Sequence, residues 1–195
     1  MILTFALTLF SLSLIHYSLL TINLNIGRII ILAQLEASIE KTNRELNSKG
    51  VKLLILKRRE KTALVYAFRK SRLQNDLSQS GVKEFLSDYG YESTDADYCI
   101  ERLKLRLKSS NSFPHEIGIF LGYPLGDVKG FIENAGQNSK CSGCWKVYCN
   151  ECEAIKTFEK FEKCKKIYQK LWLQGSQYRK AYGCGIIYIA RKEKI

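Results

Sequence analysis

The sequence predicts an α+β fold, mainly helical, in which one basic β-hairpin precedes a helical bundle containing a helix-turn-helix-like pair. Three observations predict it. Two stretches rich in β-branched, aromatic and aliphatic residues, "VKLLILKRR" (51–59) and "ALVYAFRKSR" (63–72), flank a short polar turn, the pattern of a hairpin. Most of the chain beyond this hairpin carries apolar residues at helical spacing. Near the end, "NECEAIKTFEKFEKCKKIYQKLWLQG" (150–175) reads as one long helix.

Taken in order, "LEASIEKTNRELNSKG" (35–50) is spaced for a short amphipathic helix stopped at "NSKG". The hairpin is next. Three helical stretches succeed it: "KSRLQNDL", "GVKEFLSDYG" and "TDADYCIERLKLRLKS". The third has Thr94 or Asp95 as its cap, and Ile100, Leu103 and Leu107 form its apolar stripe. "SSNS" (109–112) is a loop. "FPHEIGIFLGYPLGDVKGFIENAG" (113–136) reads as helix, tight turn, helix. Ser112 is placed to cap, Pro114 takes the first helical position and Glu116 the first turn. Gly122, Tyr123 and Pro124 break the first helix, and the second ends at Gly136. Gly118, Gly122, Val128 and Phe131 suit two helices packed at a steep angle. Base reading is disfavoured, because residues 124–134 carry Asp127 and Glu133 against a single Lys129. In the final helix Asn150 caps, Glu153 closes a capping box, and Phe158, Phe161, Cys164, Tyr168 and Leu171 share a face.

Organisation along the chain is expected in three parts. Residues 1–34 form an apolar segment, 35–174 a single domain, and 175–195 a C-terminal tail. Residues 1–22 hold no Lys, Arg, Asp or Glu and are long enough to cross a bilayer as a helix. Two expectations arise: a membrane span that tethers a cytoplasmic domain, or an artefact of a misplaced start on a soluble cytoplasmic protein. A cleaved signal peptide fits less well, since the first basic residue is Arg28.

The hydrophobic fraction of 46% and the charged fraction of 26% exclude a disordered chain. The net charge of +12 favours an anionic partner, either nucleic acid or an acidic protein, with an anionic membrane surface in play only if residues 1–22 are a span. The hairpin concentrates that charge. Arg58, Arg59, Arg69, Lys70 and Arg72 are the candidate anion-binding residues, with Tyr66 or Phe68 available to stack on bases. A hairpin that merely solvates its charged face has the same sequence.

Four thiols, Cys141, Cys144, Cys149 and Cys152, form C-x2-C-x4-C-x2-C. Three readings stay open: packing residues, ligands for zinc or iron, and a redox dithiol at a helix N-terminus. Paired zinc knuckles usually lie about 15–20 residues apart, and here only the apolar "WKVY" separates them. Seven cysteines cannot all pair within one chain, and their clustering suits a reducing compartment. His115 and Glu116 invite a catalytic reading, but adjacent helical residues point about 100° apart. A solvated His and Glu at a helix start accounts for them. "GYPLGDVKG" lacks the Lys-Ser/Thr ending of a phosphate loop.

The block "FPHEIGIFLGYPLGDVKGFIENAG" with "KCSGCWKVY" after it resembles the signature of a bacterial domain-of-unknown-function family, DUF3793. "GVKLLILKRREKTALVYAFRKSRLQNDL" and "FEKFEKCKKIY" also fit, so the likeness runs from about Asn47 to Leu171. It implies no activity and no catalytic residue. It implies that Cys141 and Cys164 are family positions and that Cys149 and Cys152 are less typical. A polar opening with a "CSPTLAG"-like motif is replaced here by the apolar run. The expected function is therefore that of a small, non-enzymatic binding or accessory protein with a basic face for an anionic partner. The alternative is a thiol-dependent metal-binding or redox accessory protein using residues 141–152.

Overall fold

The computed structural model describes residues 18–23, 28–59, 62–109 and 113–173. The fold is α+β and mainly helical, as expected. The described residues fall into two compact units, 18–125 and 126–173.

The first unit is built on a three-stranded antiparallel sheet, β1 (Ser18–Asn23), β2 (Lys52–Arg58) and β3 (Thr62–Phe68), with β3 in the centre. The hairpin stands where the sequence places it, and β1 adds a strand that sequence reasoning did not foresee. Its register runs from Ser18 opposite Ala67 to Asn23 opposite Thr62. Residues 18–22 of the expected membrane span therefore lie in a strand, while residues 1–17 lie outside the described residues. Among the described residues no helix is long and apolar enough to cross a membrane. The tail 175–195 also lies outside them.

Helix α1 (Arg28–Leu46) leads into a short 3-10 turn and Gly50, whose φ of +69° lets the chain reverse into β2. β2 is an edge strand, and α1 covers part of its open side. Asn43 donates to the Leu53 carbonyl and accepts from the Leu53 N–H, at 2.9 and 2.8 Å. One side-chain amide thus replaces a neighbouring strand's bonds, which blunts an edge that would otherwise pair with another chain.

Helices α2 (Lys70–Leu77), α3 (Val82–Ser87) and α4 (Ala96–Ser109) pack next. Of the two expected caps for α4, Asp95 acts, its Oδ1 accepting from the Tyr98 N–H at 3.0 Å. The stripe of Ile100, Leu103 and Leu107 is buried. The helix-turn-helix-like stretch consists of a single turn, α5 (Ile117–Phe120), a reversal at Gly122 with φ +71°, and α6 (Leu125–Glu133). Pro114 precedes α5 as part of a turn, its carbonyl accepting from the Ile117 N–H. Ser112 lies outside the described residues.

The second unit combines α6 from Gly126 onward, a two-residue ribbon β4 (Cys141–Ser142) and β5 (Lys146–Val147), and the long helix α7 (Glu151–Leu173). Val128, Val147, Ala154 and Phe161 form its buried centre.

Candidate functional site

The five basic candidates lie in two groups. Arg58 and Arg59 sit at the turn of the hairpin, while Arg69, Lys70 and Arg72 sit at its other end, where β3 gives way to α2. The register from Lys52 opposite Phe68 to Arg58 opposite Ala63 sets the separation, about 20 Å at the rise of a β-strand. Arg58 is ion-paired with Glu36 of α1. Arg59 closes the turn through its backbone N–H to the Thr62 carbonyl, and it is exposed. Arg69 donates to the Lys49 carbonyl. Lys70 pairs with Asp97 on the surface, and that hydrogen bond and charge push its ammonium pKa up. Arg72 is exposed, and among the described residues neither it nor Arg59 has an ion pair. Arg69 itself occupies the N-cap of α2, with no side-chain cap bond and no acid in the first turn.

The aromatic residues of this ribbon are not available to bases, contrary to expectation. Tyr66 is 0% and Phe68 4% exposed. They stack on each other at 4.8 Å, and the Tyr66 hydroxyl donates to the Phe120 carbonyl at 2.6 Å. β3 is the central strand, and within its apolar run "ALVYAF" Leu64 alone is half-buried while the other five residues are buried.

The four clustered thiols face different surroundings. Cys141, in β4, has Glu151 beside it, and burial and then that carboxylate push its thiol up. Cys144, in the ribbon's turn, lies by Glu162 and Lys165. Burial and then Glu162 push it up to about 11. Glu151 and Glu162 are separated by about 16 Å at the helical rise per residue, so the first two thiols look onto distant turns of α7. Cys149 is exposed and its Sγ rests against Gly126, where a Cβ would collide with it. Cys152 is exposed in the first turn of α7, and Cys164 is half-buried farther along it. None of the six described cysteines is in a disulfide. Among the described residues no group of three or more His, Cys, Asp or Glu side chains is placed to hold a metal ion. Thiols held protonated are poor ligands and poor nucleophiles, because both roles belong to the thiolate.

Asp127 organises the same ribbon, and no local sequence signal announces it. It is 3% exposed. Its Oδ2 accepts from the Trp145 indole at 2.7 Å, and its Oδ1 from the backbone N–H groups of Tyr148 and Cys149 at 2.8 and 2.9 Å. Tyr148 lies on Gly130, where any Cβ would clash, and Trp145 meets Phe158 edge to face at 4.6 Å.

Glu116 is the second buried carboxylate, and here the structure corrects the expectation of a solvated helix-start acid. It is 0% exposed. Oε1 is ion-paired with the Nε of Arg106 on α4 and lies 3.5 Å from the donating Tyr91 hydroxyl. Oε2 is buried without a hydrogen-bond partner. Arg106 also donates to the Tyr89 carbonyl at 3.2 Å and lies 5.2 Å above the Tyr89 ring. Burial and then the Glu116 charge push the Tyr91 hydroxyl far up. His115 is exposed, so the neighbouring base and acid look in different directions. A carboxylate closed to solvent and matched to a guanidinium ties α4 to the turn before α5.

Over residues 14–181 the chain matches a protein family described as "Protein of unknown function (DUF3793)". No curated protein and no solved structure matches.

Proposed function

The chain belongs to DUF3793, a family whose description carries no function, and from that premise we propose that it is a small binding protein holding an anionic partner on the basic face of its first unit. The opening of α2 carries this reading. Arg69, Lys70 and Arg72 gather where the helix dipole and the unbonded N–H groups of the first turn disfavour cations, by about 0.3–1 kcal/mol each, and no side chain caps the helix there. Lys70 is offset by Asp97 and Arg69 by the Lys49 carbonyl, whereas Arg72 is exposed on that turn; a local rule broken at such a position is a mark of function, and an anion on this turn would relieve the conflict. The net charge of +12 points the same way. The absence of a disulfide among the described cysteines suits a reducing, cytoplasmic setting.

Arg59 and Arg72 are the informative probes, because Arg58 and Arg69 also hold Glu36 and the Lys49 carbonyl. The chain carrying Arg59→Glu and Arg72→Glu is expected to leave a heparin column at clearly lower salt than the parent, with an unchanged thermal midpoint. An identical elution salt would overturn the proposal.

A further inference from the structure

We propose that the anionic partner is a nucleic-acid backbone, held by phosphate contacts along the length of the hairpin without reading base identity. This rests on the basic face binding an anion at all. Three features of the first unit lead to it.

The first is spacing. A small anion needs cations that converge within a few ångströms. Here Arg59 stands at one end of the ribbon and Arg72 beyond the other, about 20 Å apart on strand rise alone. Duplex DNA presents one phosphate charge per about 1.7 Å of axis, so about a dozen fall within that span, and one polymer reaches both groups. Four of the five candidates are arginines, whose planar fork fits phosphate oxygens two at a time.

The second is that, among the residues whose side chains are described, neither the hairpin nor α2 carries an exposed apolar anchor. Protein partners are held by aromatic or aliphatic side chains at the centre of the interface. Among the described residues the exposed large apolar side chains are Leu105, Phe113, Ile155 and Ile167. None belongs to the hairpin or to α2. A phosphodiester backbone requires no such anchor, because counterion release supplies most of the affinity.

The third concerns the bases. Tyr66 and Phe68 are buried against each other, so the ribbon offers no ring for stacking. The second helix of the helix-turn-helix-like pair, α6, turns Asp127 into its own unit. Contacts of the remaining kind position a protein on nucleic acid and carry no sequence information.

The test is fluorescence anisotropy of the full chain with two labelled duplexes of unrelated sequence and with polyglutamate of matched charge, across a range of salt. Binding to both duplexes is expected with affinities agreeing within about twofold and falling steeply with salt. Arg59→Ala and Arg72→Ala should each reduce the slope of log K against log salt by about 1. Polyglutamate bound as tightly as DNA at every salt would overturn the assignment to nucleic acid while leaving the anion-binding face intact. No binding to any polyanion would remove both. Preference for one duplex above about tenfold would overturn base-blind binding, and a slope that responds to only one arginine would overturn the lengthwise arrangement.

Discussion

In residues 18–125 the buried carboxylate, Glu116, faces a full positive charge on Arg106. In residues 126–173 the buried carboxylate, Asp127, faces only N–H groups: one indole and two backbone amides. The guanidinium supplies strong attraction but leaves Glu116 Oε2 unbonded. The three dipoles around Asp127 satisfy both of its oxygens and fix the path of residues 145–149. The first arrangement joins a helix to a turn; the second shapes a loop. Both acids act inward, so neither offsets the cations of the surface. Much of the chain's family-like block is thereby accounted for: Asp127, Gly130, Trp145 and Tyr148 hold one another, and Glu116 holds Arg106.

Removing the guanidinium breaks this comparison most severely. Arg106→Ala strands a carboxylate in the interior, and the expected loss is about 3–5 kcal/mol, read by urea denaturation. Combining Arg106→Met with Glu116→Leu should recover most of it, since an apolar pair of similar volume often serves as well as a buried ion pair. A double variant as unstable as the single would mean that the pair acts through packing. Asp127→Ala comes next, with about 2–4 kcal/mol expected from unbonded donors. The loss should appear as faster hydrogen exchange at Tyr148 and Cys149. Asp127→Asn, which keeps one accepting oxygen for those amides, should cost less.

The smallest effect is alkaline. Cys99, buried in the first unit, is pushed up to about 12 by burial and then by Asp95, and Cys144 in the second is pushed up to about 11. An unfolded thiol ionises near its ordinary value of 9.0. Above that pH the unfolded state binds fewer protons than the folded one. The stabilisation is fully present below about pH 9 and is lost as pH rises toward the folded values. The thermal midpoint should fall over that window, and Cys99→Ser, which does not titrate there, should flatten the decline. A midpoint as steep in the variant as in the parent would assign the alkaline loss to other groups.

How much could be read from sequence depended on the range of each physical signal. α2 spans the residues of "KSRLQNDL" and the long helix starts beside Asn150, because spacing and caps act within one turn. The hairpin was legible from its apolar flanks and polar turn. β1 was not, since its partners lie about forty or more positions away, with Ser18 opposite Ala67. The continuous apolar run 63–68 was the available sign that β3 would be largely buried, and it would have removed Tyr66 and Phe68 from the candidate stacking residues. Glu116 was misread because its partner, Arg106, arrives from another helix. The grip of Asp127 on residues 145–149 is likewise invisible to any local rule. The basic candidates were legible as residues, but their division between two ends of a ribbon needed the strand register.

On the function proposed above, interior acids hold the fold while surface cations hold the partner. The most direct test of this division is the thermal midpoint of the chain with and without a saturating polyanion such as heparin, for the parent and for the Arg59→Glu, Arg72→Glu variant. A ligand that binds only the folded state raises the midpoint, by an amount set by its affinity and concentration. The predicted result is a raised midpoint for the parent, little or no rise for the variant, and matching midpoints for the two without ligand. Equal rises in both proteins would contradict it.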